Sequence, residues 1–413
     1  MPRVQRVELP RAHSRARWAA VILLMLLGIG ALVYGFVSLL SSNPGYSEIT
    51  ANSTDGPNVS GDFVLLYNLG ASGVAASTES RRLTALYTDA AEKAYQLFTN
   101  DIGYQGVHNV YYLNRHVGEE VEVDAALYRA FEQIARAGDR TLYLAPVFET
   151  YDGLFSCADD AQAAAFDPYQ SETLRAYFAE VAAFARDPES VTLELLGENR
   201  VCLRVSQAYQ QFAEEEEIVR FIDFSWTRNA FIADYLADVL VENGYRLGTL
   251  SSYDGFMRNL DGESGAQYAF NVTSRQSGTV YPAAVLRYSG ARSLVALRGY
   301  PLNSLDFQHY YTFADGRICT AYVDIRDGLC RNAIDELTAT SEALGCAEVL
   351  LRLIPLYIAQ DWDEAAIDAL ADDGVFAVYA RGTRLRCTDP RLTLTDLYSG
   401  EDVQFSAEAV PTP

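Results

Sequence analysis

A chain of 413 residues with 49% hydrophobic and 12% aromatic content has enough apolar side chain for one large or two ordinary domains, which excludes a disordered or low-complexity protein. The formal charge is −23, and the first 17 residues carry five arginines against Glu8, so the body that follows is strongly acidic. Such a body disfavours nucleic acid and anionic lipid surfaces.

Trp18 to Leu40 contains no charged residue. At about 1.5 Å per residue it is long enough to cross a hydrocarbon core of ~30 Å. The arginines before it place residues 1–17 in the cytoplasm. No Ala-x-Ala cleavage site or lipobox-type cysteine follows, so 18–40 is expected to be a signal anchor in a cell membrane, with the remainder extracytoplasmic. Residues 41–61 are polar and carry proline and glycine, as a linker would. Its sequons at Asn52 and Asn58 matter only where exported proteins are glycosylated.

The folded body is expected over 62–386, with 387–413 as a C-terminal tail. A strand at 63–67 precedes an amphipathic helix at 80–100 with Leu83, Leu86, Ala90, Ala94 and Leu97 on one face. Residues 111–113 are assigned to a short strand ended by Asn114, and Val123-Asp124 opens a helix through Leu127, Phe131 and Ile134. A helix at 171–185 and a hairpin of 191–195 with 200–205 around Gly197-Glu198-Asn199 follow. The glutamate run at 214–217 is a solvated surface.

Within 222–244, Ile232, Leu236, Val239 and Leu240 form the apolar face of a helix that Gly244 ends. Asp254-Gly255 marks a turn, and strands are expected at 268–272, 280–285, 293–300 and 310–313. A lone histidine beside aromatics, as His309 is, is more often structural than catalytic. Residues 317–345 are assigned to a strand, a turn at Asp327-Gly328, and a helix capped by Asn332 and stopped by Gly345. A helix pair at 346–358 and 362–371 and a strand at 375–379 close the body.

The six cysteines have no Cys-x-x-Cys spacing, which argues against a zinc or thioredoxin-type centre. Free buried thiols and disulfides both stay open; Cys319 and Cys330, flanking the strand-turn, are the first pair to consider.

Two of these segments resemble the FAD:protein FMN transferase (ApbE) family. Residues 222–244 are similar to that family's D-L-G-G-I-A-K-G-Y-A-x-D: Asp223 and Asp234 fall on its two aspartates. Ser225 and Trp226 replace its glycines, and Asn229-Ala230 its Lys-Gly. Residues 317–345 resemble H-I-x-D-P-x-T-G followed by a helix opening with D-A-L-x-T. Asp324, Gly328 and Asp335 match, whereas Ala321, Ile325 and Ala339 stand for the His, the Pro and the metal-binding Thr. Residues 293–300 resemble A-x-A-T-S-G-x-Y, with Gly299 kept and Leu297-Arg298 in place of Thr-Ser; residues 141–150 keep only Pro146 of a flavin-lining segment.

The resemblance implies an α+β fold of mixed or antiparallel sheets flanked by helices. It also implies FAD and Mg²⁺ as cofactors, and transfer of FMN to Ser or Thr of an exported protein. It points to Asp223, Arg228 and Arg298 as flavin-nucleotide contacts and to Asp335 as a metal ligand, although a carboxylate in a helix's first turn is equally explained by the helix dipole. Tyr253 is a further candidate contact, for which core packing is the more common role. The only lysine, Lys93, is far away in sequence, and Arg228 is not an equivalent cation. These replacements favour a binding or partner module over a working transferase. An Mg²⁺-dependent transferase and a flavin- or nucleotide-binding protein without turnover are the alternatives. No nucleic-acid partner is expected.

Overall fold

The computed structural model describes residues 44–52, 56–302, 306 and 308–408. The basic tail and apolar span therefore lie outside the described residues. Among those described, no helix is long and apolar enough to cross a membrane. The chain forms two compact units. Among the described residues the smaller has 44–47 and 68–82, where the buried Glu79 carboxylate accepts from the Gly70 N–H (2.6 Å) and from Ser72 Oγ (2.6 Å). The larger has the described residues of 48–67 and 83–408.

The expected linker is not featureless. It contains strand β1 (Gly45–Ile49) and a turn of 3₁₀ helix, Val59–Asp62, whose Asn58 cap accepts from the Ser60 N–H. Strand β2 (Phe63–Leu69) then begins the body and alternates between buried and exposed side chains, the period of a sheet with one covered face.

Three strands form a small antiparallel sheet in the order β3-β5-β4: β3 (Glu120–Glu122), β4 (Val191–Gly197) and β5 (Arg200–Val205). The β4–β5 turn takes left-handed backbone at Glu198 and Asn199, as a tight hairpin requires. The large sheet runs on from β2 through β6 (Gly248–Ser252), β7 (Phe256–Asn259), β10 (Arg292–Arg298), β13 (Glu336–Ser341), β14 (Phe376–Arg381) and β15 (Arg384–Cys387) to β17 (Ser406–Ala407). Its pairings are antiparallel from β2 to β15, and β15 pairs β17 in parallel. β8 (Gln267–Gln276) and β9 (Thr279–Ser289) form a long hairpin that β16 (Thr393–Thr395) extends. β11 (Tyr310–Thr312) and β12 (Ile318–Thr320) make a short separate hairpin.

Helices Arg228–Glu242 and Cys346–Tyr357 lie against β6, β7, β10 and β13. Residues of β8 and β9, including Val272 and Leu286, share a second core with Leu294, Val378, Leu385 and Phe405. β10 and β13 therefore run between two cores, and every residue of both is buried. Residues 387–408, set apart as a tail by sequence, supply β16, β17 and the buried Phe405 to this fold.

Two elements differ from their sequence reading. Residues 111–113 belong to a helix, Val110–Arg115, because Asn109 caps it by accepting from the Tyr112 N–H (3.0 Å). The helix expected over 332–345 is instead β13. A fully buried strand has no polar alternation to mark its period, and its Thr338 and Thr340 favour extended backbone. Gly345 does not stop a helix but caps the next one, Cys346–Tyr357.

Candidate functional site

Asp223 anchors the site. Its backbone enters between two asparagines that convert loop into fixed structure. Asn114 Oδ1 accepts from the N–H groups of Phe221 (2.8 Å) and Ile222 (3.0 Å), while its Nδ2 donates to Asn100 Oδ1 (2.8 Å) and to the Ile222 carbonyl (2.9 Å). Asn100 Nδ2 in turn donates to Asp223 Oδ2 (2.9 Å). The other carboxylate oxygen accepts from the Ser225 N–H (2.8 Å), closing a turn.

That turn holds Ser225 at φ +45°, a left-handed conformation ordinarily left to glycine. The backbone shape expected of a glycine is kept, but a side chain is present. The next residue, Trp226, is 4% exposed and meets the Tyr322 ring edge-on at 4.9 Å. The N–H groups of Thr227 and Arg228 already donate to the carbonyls of Phe224 and Ser225. A helix start whose N–H groups are so engaged offers less to an anion.

A cleft of about 380 Å³ opens here, with Asp223, Trp226, Arg228, Asp152, His309 and Ala321 in its walls. The segments 222–244 and 317–345, far apart in sequence, thus share one cavity. Arg228 is paired with Asp62 (3.4 Å) and Arg220 with Asp101 (3.2 Å). The Asp152 carboxyl is pushed up to about 7 by burial and by the neighbouring Asp223, against the pull of Arg220. Burial also raises Asp62, with Arg228 opposing and Asp254 adding to the rise.

His309 reaches the cleft from the β11–β12 hairpin, where its carbonyl accepts from the Ala321 N–H (3.0 Å). Its Nε2 is 3.8 Å from Asp254 Oδ2, and Asn229 Nδ2 donates to the same oxygen (2.9 Å). Burial holds the imidazole below its ordinary value; Arg228 adds to this and Asp254 opposes it.

The sequence-derived candidates separate. Asp223 and Arg228 share the cleft, and Tyr253, half-exposed, lines an adjoining recess with Asp62, Asn229, Asp254 and His309. Arg298 is buried behind Trp226, among Tyr310 and Tyr322, with no hydrogen-bond partner on its Nε. Asp335 is exposed on the bend before β13, outside the clefts described, and its carbonyl accepts from the Gly299 N–H (2.7 Å). It does not stand on a helix. Asp234 faces away from the cleft chemistry: its oxygens accept from the N–H groups of Cys346 (2.8 Å) and Ala347 (2.9 Å), and Arg258 pairs with it. Asp324 is locked by Arg326 and Arg331; burial alone would raise its carboxyl, and the hydrogen bonds from Arg326 hold it below the usual range.

Sequence reasoning missed Asp62, Asp152 and Asp254, and gave His309 a structural role. The turn signal at Asp254-Gly255 and the candidate Tyr253 were the traces of the recess in the sequence.

The residues do not fit a magnesium-bound pyrophosphate. Among the described residues, no three His, Cys, Asp or Glu side chains are grouped to hold a metal ion. Each cleft arginine has a carboxylate partner, Arg220 with Asp101 and Arg228 with Asp62, although Arg228 Nε has none, and Asp152 and Asp223 add further carboxyls to the walls.

No family model and no curated protein sequence matches this chain. Solved structures do. The ApbE protein of Thermotoga maritima superposes with a TM-score of 0.53 at 12% identity, covering 85% of this chain and 97% of that one. The flavin transferase ApbE of Vibrio cholerae does so with 0.51 at 12% identity, covering 86% and 98%, and a histidine-to-glycine mutant of that enzyme with 0.53. At this identity the likeness is one of architecture, and this chain has the fold of the ApbE flavin transferases.

Proposed function

We propose that this chain is a membrane-anchored, extracytoplasmic protein of ApbE-like fold that uses its cleft to bind a ligand or an exported partner rather than to transfer FMN. One observation carries the reading: the turn that opens helix Arg228–Glu242 keeps its glycine-like backbone at Ser225 but fills the space with Trp226 and ties up Arg228 with Asp62. Carboxylates at 101, 152 and 223 line the cavity, Asp62 lines the adjoining recess, and each cleft arginine already has a carboxylate partner. An anionic dinucleotide would meet repulsion there. The uncharged run 18–40 behind five arginines supports the anchor and its orientation.

The test is to incubate the detergent-solubilised chain with FAD, Mg²⁺ and an exported acceptor protein. No covalent flavin is expected on the acceptor; in-gel flavin fluorescence at the acceptor's mass would overturn the reading. Protease added outside intact spheroplasts should degrade the folded body, and protection of the body would remove the proposed orientation.

A second reading, a transferase with relocated groups, is favoured by His309. The chain has Ala321 where the resembling family has histidine, and His309 stands beside it across the hairpin, in the same cleft. On that reading FMN transfer is detectable and His309→Ala abolishes it while leaving the melting temperature nearly unchanged.

A further inference from the structure

We propose that the recess beside the cleft is a site for a primary ammonium group, carried by a small amine or by a lysine side chain of a partner; this rests on the ligand-binding reading above. Three elements build the recess. Asp62 ends the 3₁₀ turn Val59–Asp62, Asn229 lies in the first turn of helix Arg228–Glu242, and Tyr253 and Asp254 form the turn between β6 and β7. That last turn is fixed in place. The Ala296 N–H donates to the Gly255 carbonyl (2.8 Å), and a Cβ at Gly255 would collide with the Ala296 carbonyl oxygen. With Asp306 and His309 these residues line a volume of about 270 Å³.

The polar atoms of the recess are short of donors. Asn229 is 7% exposed, and its Nδ2 donates to Asp254 Oδ2 (2.9 Å). An amide oxygen in that place would meet a carboxylate, so Oδ1 is the atom left over. Among the described residues, neither Asn229 Oδ1 nor Asp254 Oδ1 has a hydrogen-bond partner, although both atoms are buried. A buried acceptor without a donor is costly. The His309 imidazole lies 3.8 Å from Asp254 Oδ2, but burial holds it below its ordinary value, so it brings no charge.

Charge and geometry select the ligand. Asp62, Asp254 and Asp306 contribute three carboxyls, against the guanidiniums of Arg228 beside them and Arg298 behind. One monocation balances the remainder, and the acidic chain draws cations toward it. A primary ammonium offers three N–H donors and no acceptor, which suits a wall of leftover oxygens. A guanidinium suits it less, because it grips a carboxylate through both oxygens and Asp254 Oδ2 is already engaged by Asn229. A metal ion does not suit it, since no three described His, Cys, Asp or Glu side chains are grouped to hold one. The half-exposed Tyr253 ring offers a face to the methylenes or the charge of such a ligand.

The full chain in detergent is titrated calorimetrically with butylammonium chloride at constant ionic strength, and separately with tetramethylammonium chloride, a cation without N–H donors. Saturable binding of butylammonium and none of tetramethylammonium is expected. Asp254→Asn should weaken that binding about tenfold or more, because a charge-assisted bond becomes a neutral one. Asn229→Ala, which keeps the carboxylate but removes the leftover amide oxygen, should weaken it as well. No saturable heat from butylammonium, an equal response to the two cations, or an affinity unchanged in either variant overturns the proposal. Nα-acetyl-lysine N-methylamide separates the sources: binding at least as tight as butylammonium assigns the site to a lysine side chain, and weaker binding to a free amine. The FMN-transfer test keeps the two failures apart. A flat amine titration without flavin transfer removes the amine site alone, whereas covalent flavin on the acceptor removes the ligand-binding reading.

Discussion

Ser225 shows how one side chain can record what a site has lost. Its φ of +45° strains an L-residue, so Ser225→Gly should stabilise the protein by about 1 kcal/mol, read as a higher urea midpoint. Glu336 is a pH-sensitive residue of the core. It is 5% exposed and accepts from Thr273 Oγ1 (2.8 Å) and from the Tyr300 hydroxyl. Burial lifts its carboxyl from 4.5 to about 6, and the hydrogen bonds from Tyr300 and Thr273 only partly offset that. The folded state thus holds the proton more tightly than the unfolded chain. The associated stabilisation is complete below pH 4.5 and is lost as pH rises through 6. The size is on the order of 2 kcal/mol. Glu336→Gln should remove this pH dependence, as seen by urea titrations across that window, and a variant profile parallel to the parent's would count against it.

At the scale of elements, helix Cys346–Tyr357 depends on a carboxylate from elsewhere. Its cap residue is Gly345, which has no side chain to satisfy the first N–H groups, and Asp234 supplies both oxygens from helix Arg228–Glu242. A Cβ at Gly345 would lie 2.3 Å from Asp234 Oδ2, so the glycine is required by close approach. Asp234→Ala removes two charge-assisted bonds and leaves Arg258, which is 22% exposed, without that partner. A loss of about 2–4 kcal/mol in urea unfolding is expected, with binding-site chemistry at Asp223 untouched. The aspartate matched by sequence to a family motif is thus explained here by helix capping.

Over the whole molecule, the C-terminal residues close the second core. Phe405 is 3% exposed within it, and Asp389 pairs with the buried Arg292 (3.6 Å) and with Arg391 (2.9 Å). Ending the chain at residue 386 opens a Phe-sized void and leaves Arg292 with Glu342 as its remaining carboxylate. Destabilisation of at least several kcal/mol is expected, visible as rapid limited proteolysis. A truncated chain that resisted protease like the parent would contradict this account.

The helix Arg228–Glu242 was legible because half-buried polar residues recur at helical spacing between its buried ones. The β4–β5 hairpin was legible because Gly197-Glu198-Asn199 is a turn signal between two apolar runs. β13 was not, because a strand covered on both sides has no polar face to report its geometry. The site was legible by halves for a related reason. The family resemblance pointed to Asp223 and Arg228, but Asp62, Asp152, Asp254 and His309 meet them only through sheet order and the asparagine scaffold at 100 and 114. Sequence by itself determined the composition, the apolar N-terminal run, the turns at Asp254-Gly255 and Asp327-Gly328, and the two segments that would share a cleft. Tertiary structure decided which carboxylates face that cleft and which cations they neutralise, since burial and charge pairing arise between residues that only folding brings within a few ångströms.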